Sequence, residues 1–248
     1  MASPVEHYPG DEPQVPARTV RQFVHQLRSH LTAIGPAAEY MAGPDVPPEV
    51  RSEMVQIVIQ SVGRIEHLLA DLSVVAAPER ARPGAHARSV DLPALVRSVL
   101  LRYTDHAQSV GAWLVLDVPK QCAPVLGHPT VLEQAVDNAL LVVLQLARRG
   151  DRVVAQLVDS DGPNRELELT VALRPGEGGQ RCCDKLQDLT GVALAAAQII
   201  AEEHGGSLSP LPEGIGVVLR LPTAPMPPLS VAAAGSRALD WLPPTQAT

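Results

Sequence analysis

Phe23-Val24-His25-Gln26-Leu27-Arg28-Ser29-His30-Leu31-Thr32-Ala33-Ile34 is the stretch whose reading decides the fold. Val20, Phe23, Val24, Leu27, Leu31, Ile34, Ala38 and Met41 recur at steps of three and four around it. That spacing puts them on one stripe of a helix. His25 follows Val24 by one residue, about 100° round the wheel, so it lies at the flank of the stripe and within reach of solvent. A neutral imidazole held there can act as a nucleophile. Taken alone, it reads as well as a plain surface histidine on a bundle helix.

Outward from this stretch, helix one runs from Arg18 to Met41, and Gly43-Pro44-Asp45-Val46-Pro47-Pro48 ends it in a short turn. A second helix to about Val75 carries Val50, Met54, Ile57, Val58, Val62, Ile65, Leu68, Leu69 and Leu72 on a heptad-like seam. Two helices joined by a short loop form an antiparallel hairpin. One hairpin cannot cover its own seam, so a second copy is expected, giving a four-helix bundle dimer. The alternative is a hairpin that packs on the rest of its own chain. Residues 1–17 hold four prolines and no periodicity, and read as a disordered lead-in to the 18–75 hairpin.

Beyond the hairpin, 76–89 is rich in Ala, Arg, Pro and Gly and reads as a linker. From Val90 the pattern alternates between helix and strand. Asp91 is placed to cap a helix carrying Leu95, Val96, Val99, Leu100 and Tyr103. Strands are expected over 113–118, 125–128, 152–158, 166–173, 207–208 and 216–221, and helices over 130–147 and 190–204. The order is that of an α/β sandwich, so the fold class is α+β. The tail 223–248 is Pro/Ala-rich, and its segment Ser236-Arg237-Ala238-Leu239-Asp240-Trp241-Leu242 is either a docking helix or an unstructured end.

Composition narrows the function. The formal net charge of −7 argues against nucleic acid or an anionic membrane as the main partner. Apolar runs are too short to span a bilayer, and no signal peptide is visible. Three cysteines, two of them the adjacent Cys182-Cys183, make neither a disulfide framework nor a zinc site, so a reduced, cytoplasmic setting is expected. Aromatics are 2% of the chain, so the cores must be aliphatic.

His25-Gln26-Leu27-Arg28-Ser29-His30-Leu31 resembles the phosphoacceptor box of sensor histidine kinases, usually His-Glu-Leu-Arg-Thr-Pro-Leu. Leu27, Arg28 and Leu31 fix the register on His25 rather than His30. Gln26 replaces the family's acidic residue, and His30 its helix-bending proline; Gly35-Pro36, further on, is the substitute bend. The span 90–222 is similar to the family's ATP-binding domain. Pro124 to Gln134 resembles the entry to the N-box helix, Ile199 to Gly206 the end of the helix after the second glycine box, and Gly214 to Pro222 the closing hairpin.

The resemblance also shows what has changed. Of the two N-box asparagines, Asn138 holds the first place and Val142 the second, where the family uses an amide oxygen for Mg²⁺. In the first glycine box Ala172 stands for the aspartate that reads adenine, and Arg174 for a glycine; Gly176 is left. In the second, Gly191 alone remains of three glycines, and Cβ atoms at the others crowd the phosphates. The lid, 177–188, is short. The nucleotide site thus reads as degenerate, with Asn138, Gly176 and Gly191 vestigial and neither a cofactor nor a metal expected. ATP and Mg²⁺ enter only if the chain is a divergent working kinase, or if Asp137 and Asn138 still bind nucleotide without transfer.

The resemblance therefore implies a dimeric histidine phosphotransferase of a phosphorelay, like those derived from kinases. His25 is the carrier, and Arg28 either neutralises phosphate charge or fixes the helix surface. Ser29 stands where the family orients a water for dephosphorylation. The implied partners are a response-regulator receiver domain, a sensor histidine kinase and a second copy of the chain. A non-catalytic pseudokinase scaffold is the competing class. His67, His86, His106, His128 and His204 read as scattered surface or capping residues.

Overall fold

The computed structural model describes residues 17–84, 87–160, 165–176 and 191–224. The lead-in 1–16, His86, the turn residues 161–164, the lid 177–188 with Cys182 and Cys183, and the tail from 225 onward lie outside them.

Helices α1 (Ala17–Met41) and α2 (Pro48–Ala76) form the hairpin. Pro48 opens α2 at a position whose N–H has no intrahelical partner to lose. Pro36 lies inside α1 and does not end it. The apolar residues divide between two directions. Phe23, Leu68, Val74 and Val75 are buried in one hydrophobic cluster with the second unit. Val20, Val24 and Leu31 of α1, and Val55, Ile59, Val62 and Leu69 of α2, stay exposed. The hairpin thus packs on the rest of its own chain along one face and leaves a second apolar stripe open.

The second unit follows in the order β1 (Arg88–Val90), α3 (Leu92–Arg102), α4 (Thr104–Val110), β2 (Trp113–Asp117), β3 (Val125–Gly127), α5 (Pro129–Leu144), β4 (Arg152–Ser160), β5 (Glu166–Arg174), α6 (Val192–Glu203), β6 (Ser207–Pro210) and β7 (Ile215–Pro222). Strands β1 and β3 pair antiparallel as a small ribbon. The main sheet has the order β2-β4-β5-β7-β6, with β2 parallel to β4 and the other neighbours antiparallel. Val153, Ala155 and Leu157 of β4, Leu167, Leu169 and Val171 of β5, and Val217, Leu219 and Leu221 of β7 are buried at a period of two. They form the sheet face that α5 covers. Helix α5 is apolar over most of its girth, because it meets the sheet on one side and α6 on another. Helix α6 in turn lies against α2.

Two elements depart from expectation. The span 76–89, read as a linker, holds a 3-10 turn (Pro78–Ala81) with Ala81 buried, and it ends in β1. Helix α4 is new. The Asp91 cap is present: its side chain accepts a hydrogen bond from the Ala94 N–H at 3.0 Å. No described helix is long and apolar enough to cross a membrane.

Candidate functional site

His25, Arg28 and Ser29 stand at i, i+3 and i+4 of α1, and all three are exposed. Helical spacing makes them one open patch. Gln26 and His30 are partly buried and line a small cavity with Arg64, His67 and Asp71 of α2, Val142 of α5 and Gly191. On the wheel Gln26 lies about 100° and His30 about 140° from His25. His25 is therefore turned away from the junction between hairpin and sheet unit.

Polar side chains hold that junction. Asn138 Nδ2 and Gln134 Nε2 donate to Asp71 Oδ1 at 2.7 and 2.8 Å. His67 Nε2 lies 2.7 Å from Asp137 Oδ2. Tyr103 donates its hydroxyl to the same oxygen at 2.8 Å, and Arg102 Nη2 donates to Oδ1 at 3.0 Å. His67 and Asp71 are one turn apart on α2, as Gln134 and Asn138 are on α5, so each helix offers a matched polar pair. Asp71 and Asp137 are both buried. Buried carboxylates are tolerated only when so satisfied.

The surroundings set the protonation of this cluster. Burial pushes the Asp71 carboxyl up, and the amides of Asn138 and Gln134 offset this only in part. Burial pushes Asp137 the same way, but His67, Tyr103 and Arg102 together hold it below the usual carboxylate range. His67 is raised, chiefly by its hydrogen bond to Asp137 and against its own burial. Burial and the nearby Arg64 lower His30. The Arg64 guanidinium sits 5.8 Å from the centre of the Tyr103 ring.

The reading of scattered surface or capping histidines needs correction at His67, which is half-exposed and reaches into the junction network because Asp137 draws it in. His204 is a capping residue: it is the C-cap of α6, buried, with Nδ1 2.7 Å from the Ile200 carbonyl. His128, at the N-cap position of α5, is exposed.

The described residues at the nucleotide positions are tied into the junction and the sheet. Asn138 is fully buried, its amide nitrogen is committed to Asp71, and its Oδ1 faces no partner among the described residues. Val142 is buried as well. The cavity beside it holds about 30 Å³. Ala172 is buried within β5, paired with Val154 and Gly216, and Arg174 ends the strand. Gly176 donates its N–H to Asp151 Oδ1 at 3.2 Å, and a Cβ there would stand 2.5 Å from the Gly150 carbonyl oxygen. That glycine serves chain packing. Gly191 is buried at the N-cap of α6. Among the described residues no group of three His, Cys, Asp or Glu side chains is placed to hold a metal.

Sequence reasoning missed Asp71, His67, Gln134, Tyr103 and Arg102. A signal was there: Asp71 interrupts an apolar seam, and Asp137-Asn138 interrupts a helix apolar nearly all round. Charges so placed require partners.

No protein-family model matches the chain. The sensor-type histidine kinase PrrB of Mycobacterium tuberculosis is 30% identical over 213 residues, covering 80% of this chain and 46% of PrrB. The sensor protein ChvG of Agrobacterium fabrum is 25% identical over 209 residues, covering 74% of this chain and 34% of ChvG. The chain thus spans less than half the length of these relatives. Among solved structures, the Acinetobacter baumannii histidine kinase AdeS matches with a TM-score of 0.54 at 19% identity, covering 84% of this chain and 98% of that one. The histidine kinase ThkA, solved in complex with the response regulator protein TrrA, matches at 0.54 and 14%, covering 84% and 62%. These structures share the α+β fold.

Proposed function

We propose that this chain, a homologue of the sensor histidine kinases, acts in two-component signal transduction by passing a phosphoryl group between His25 and a response-regulator aspartate, without binding ATP. One observation carries the reading: Asn138, at the first N-box place, is sealed under the hairpin with its amide on Asp71. The His25 patch, by contrast, is open to a partner.

In the transfer, the lone pair of the neutral His25 imidazole attacks the phosphorus of an aspartyl phosphate. The P–N bond forms as the acyl P–O bond breaks, and the carboxylate leaves with the electron pair. The reverse step hands the group on. Both species are high in energy, so no nucleotide is needed. The chain's contribution is position, with Arg28 facing the phosphoryl charge beside the receiver's own Mg²⁺. Ser29, at the next turn, orients a water when the receiver is dephosphorylated.

The open stripe of Val20, Val24 and Leu31 with Val55, Ile59, Val62 and Leu69 recurs at helical spacing and suits a second copy in a four-helix bundle. The dimer then carries one His25 on each side.

The deciding experiment offers the protein a radiolabelled, phosphorylated receiver domain. Label should pass to the wild type and not to His25→Ala. Calorimetric titration with ATP and Mg²⁺ should show no binding. The relatives' names favour a working kinase instead, and labelling of His25 from ATP would establish it. Gln26, in the acidic residue's place, favours a scaffold; receiver binding without transfer would establish that.

A further inference from the structure

Strand β2 is an edge of the main sheet, paired with β4 on one side only. It reads Trp113-Leu114-Val115-Leu116-Asp117, with neither proline nor lysine to blunt it. Its outer side presents backbone N–H and C=O groups that a further strand can pair. Helices α3 and α4 stand off from β2 and leave a groove of about 590 Å³ beside that edge, lined chiefly by Leu100, Leu101, Ala107, Trp113 and Leu116. Leu101 is 74% exposed and Trp113 68%. An apolar groove between an open strand and a helix suits an extended peptide that adds to the sheet. The backbone then supplies affinity, and alternate side chains enter the groove.

Charge selects the peptide. The chain as a whole carries −7, yet both ends of the groove are basic. Half-buried Arg97 lines the groove and donates Nη2 to the Pro119 carbonyl at 2.6 Å, which puts the guanidinium at the end where β2 stops. At the other end Arg149 packs on Gly111, where a Cβ would stand 2.9 Å from the arginine Cγ. Arg152 is there too, as the β4 partner of Trp113. Arg149 and Arg152 are exposed, and neither has an acidic partner among the described residues. The neighbouring acids do not line the groove. Asp91 caps α3 at the Ala94 N–H, Asp117 accepts from Gln156 Nε2 at 2.8 Å, and Asp159 accepts from the Ala123 N–H. Buried Asp151 takes the N–H groups of Arg148 and Gly176, and Asp105 is exposed on α4. Such a rim suits an apolar strand with a carboxylate near each end.

We propose that β2 and its groove take up an extended segment of a partner protein, apolar at alternate positions and acidic at both ends, as an added strand of the main sheet. The probe is a blocked synthetic heptapeptide, Glu-Ile-Thr-Val-Thr-Leu-Glu. It is offered to the full chain carrying Trp241→Phe, in which Trp113 is the sole tryptophan. Trp113 emission should shift to the blue and saturate, and amide exchange along β2 should slow. Proline in place of the central valine, or lysine in place of both glutamates, should weaken binding about tenfold or more. Arg97→Gln in the protein should weaken binding of this peptide and not of one ending in glutamines, at unchanged helical ellipticity. The lack of a saturable shift would overturn the proposal, as would equal affinity for the glutamate-ended and lysine-ended peptides. Slow exchange along β2 without peptide, deepening with protein concentration, would overturn it too, by assigning the edge to a second copy.

Discussion

Asp71 Oδ1 accepts a hydrogen bond from Asn138 Nδ2 at 2.7 Å, joining the hairpin to α5. The same oxygen takes Gln134 at 2.8 Å. Removing the carboxylate strands the buried amide of Asn138 and the half-buried amide of Gln134. Asp71→Ala should therefore cost about 1–3 kcal/mol, the penalty of unmet buried donors. Urea unfolding checks it. A cycle with Asn138→Ala should show strong coupling, because the two changes delete one contact.

The His67–Asp137 contact makes stability depend on pH. Folding raises the His67 pKa above the ordinary 6.5, first through the bond to Asp137. A raised histidine stabilises fully below its unfolded value, and that contribution is lost as pH rises through the folded one. His30, His106 and His204 are lowered, mainly by burial, and act in the opposite sense. The comparison must therefore be differential. The stability gap between wild type and His67→Gln should be widest below pH about 6.5 and narrow as pH rises beyond it. Unfolding midpoints across that range measure it.

Gly176 presses on the Gly150 carbonyl, where a Cβ would stand at 2.5 Å. Backbone cannot yield as a side chain does. Gly176→Ala should destabilise by about 1–3 kcal/mol, as overpacking does. Thermal unfolding without any nucleotide present would show that loss.

His25 is exposed, so His25→Ala should leave stability within about 0.5 kcal/mol of wild type. Phosphoryl exchange with a receiver should vanish in the same protein. Parallel unfolding and label-transfer assays separate the two readouts.

Ile59, 57% exposed, lies at the middle of the open stripe. Ile59→Lys should weaken self-association about tenfold or more, since burying an isoleucine contributes about 1.5–3 kcal/mol. Sedimentation equilibrium gives the constant.

The hairpin is legible in the sequence because its apolar residues keep one period for many turns. Strands β4 and β5 are legible because they alternate. Helix α4 is not: Thr104-Asp105-His106-Ala107-Gln108-Ser109-Val110 buries only Ala107 and carries almost no pattern. Strand β1 is three residues long and gains its shape from β3. The exposure of His25 follows from its wheel position. The closing of the Asn138 face does not, since Asp71 and Asn138 meet only through tertiary packing. The seam shows the same limit. Periodicity places Phe23 and Val24 together, yet Phe23 turns to the chain's own core and Val24 to the open side.

Phe23, Leu68, Val74 and Val75 share their cluster with side chains of α5, α6 and the sheet. A swinging arm needs a hinge between separate cores, and here the cores are merged. His25 thus stands on a helix whose other face is built into the core of the sheet unit. Under the proposed transfer, that exposed face is the mooring to which a receiver has to come.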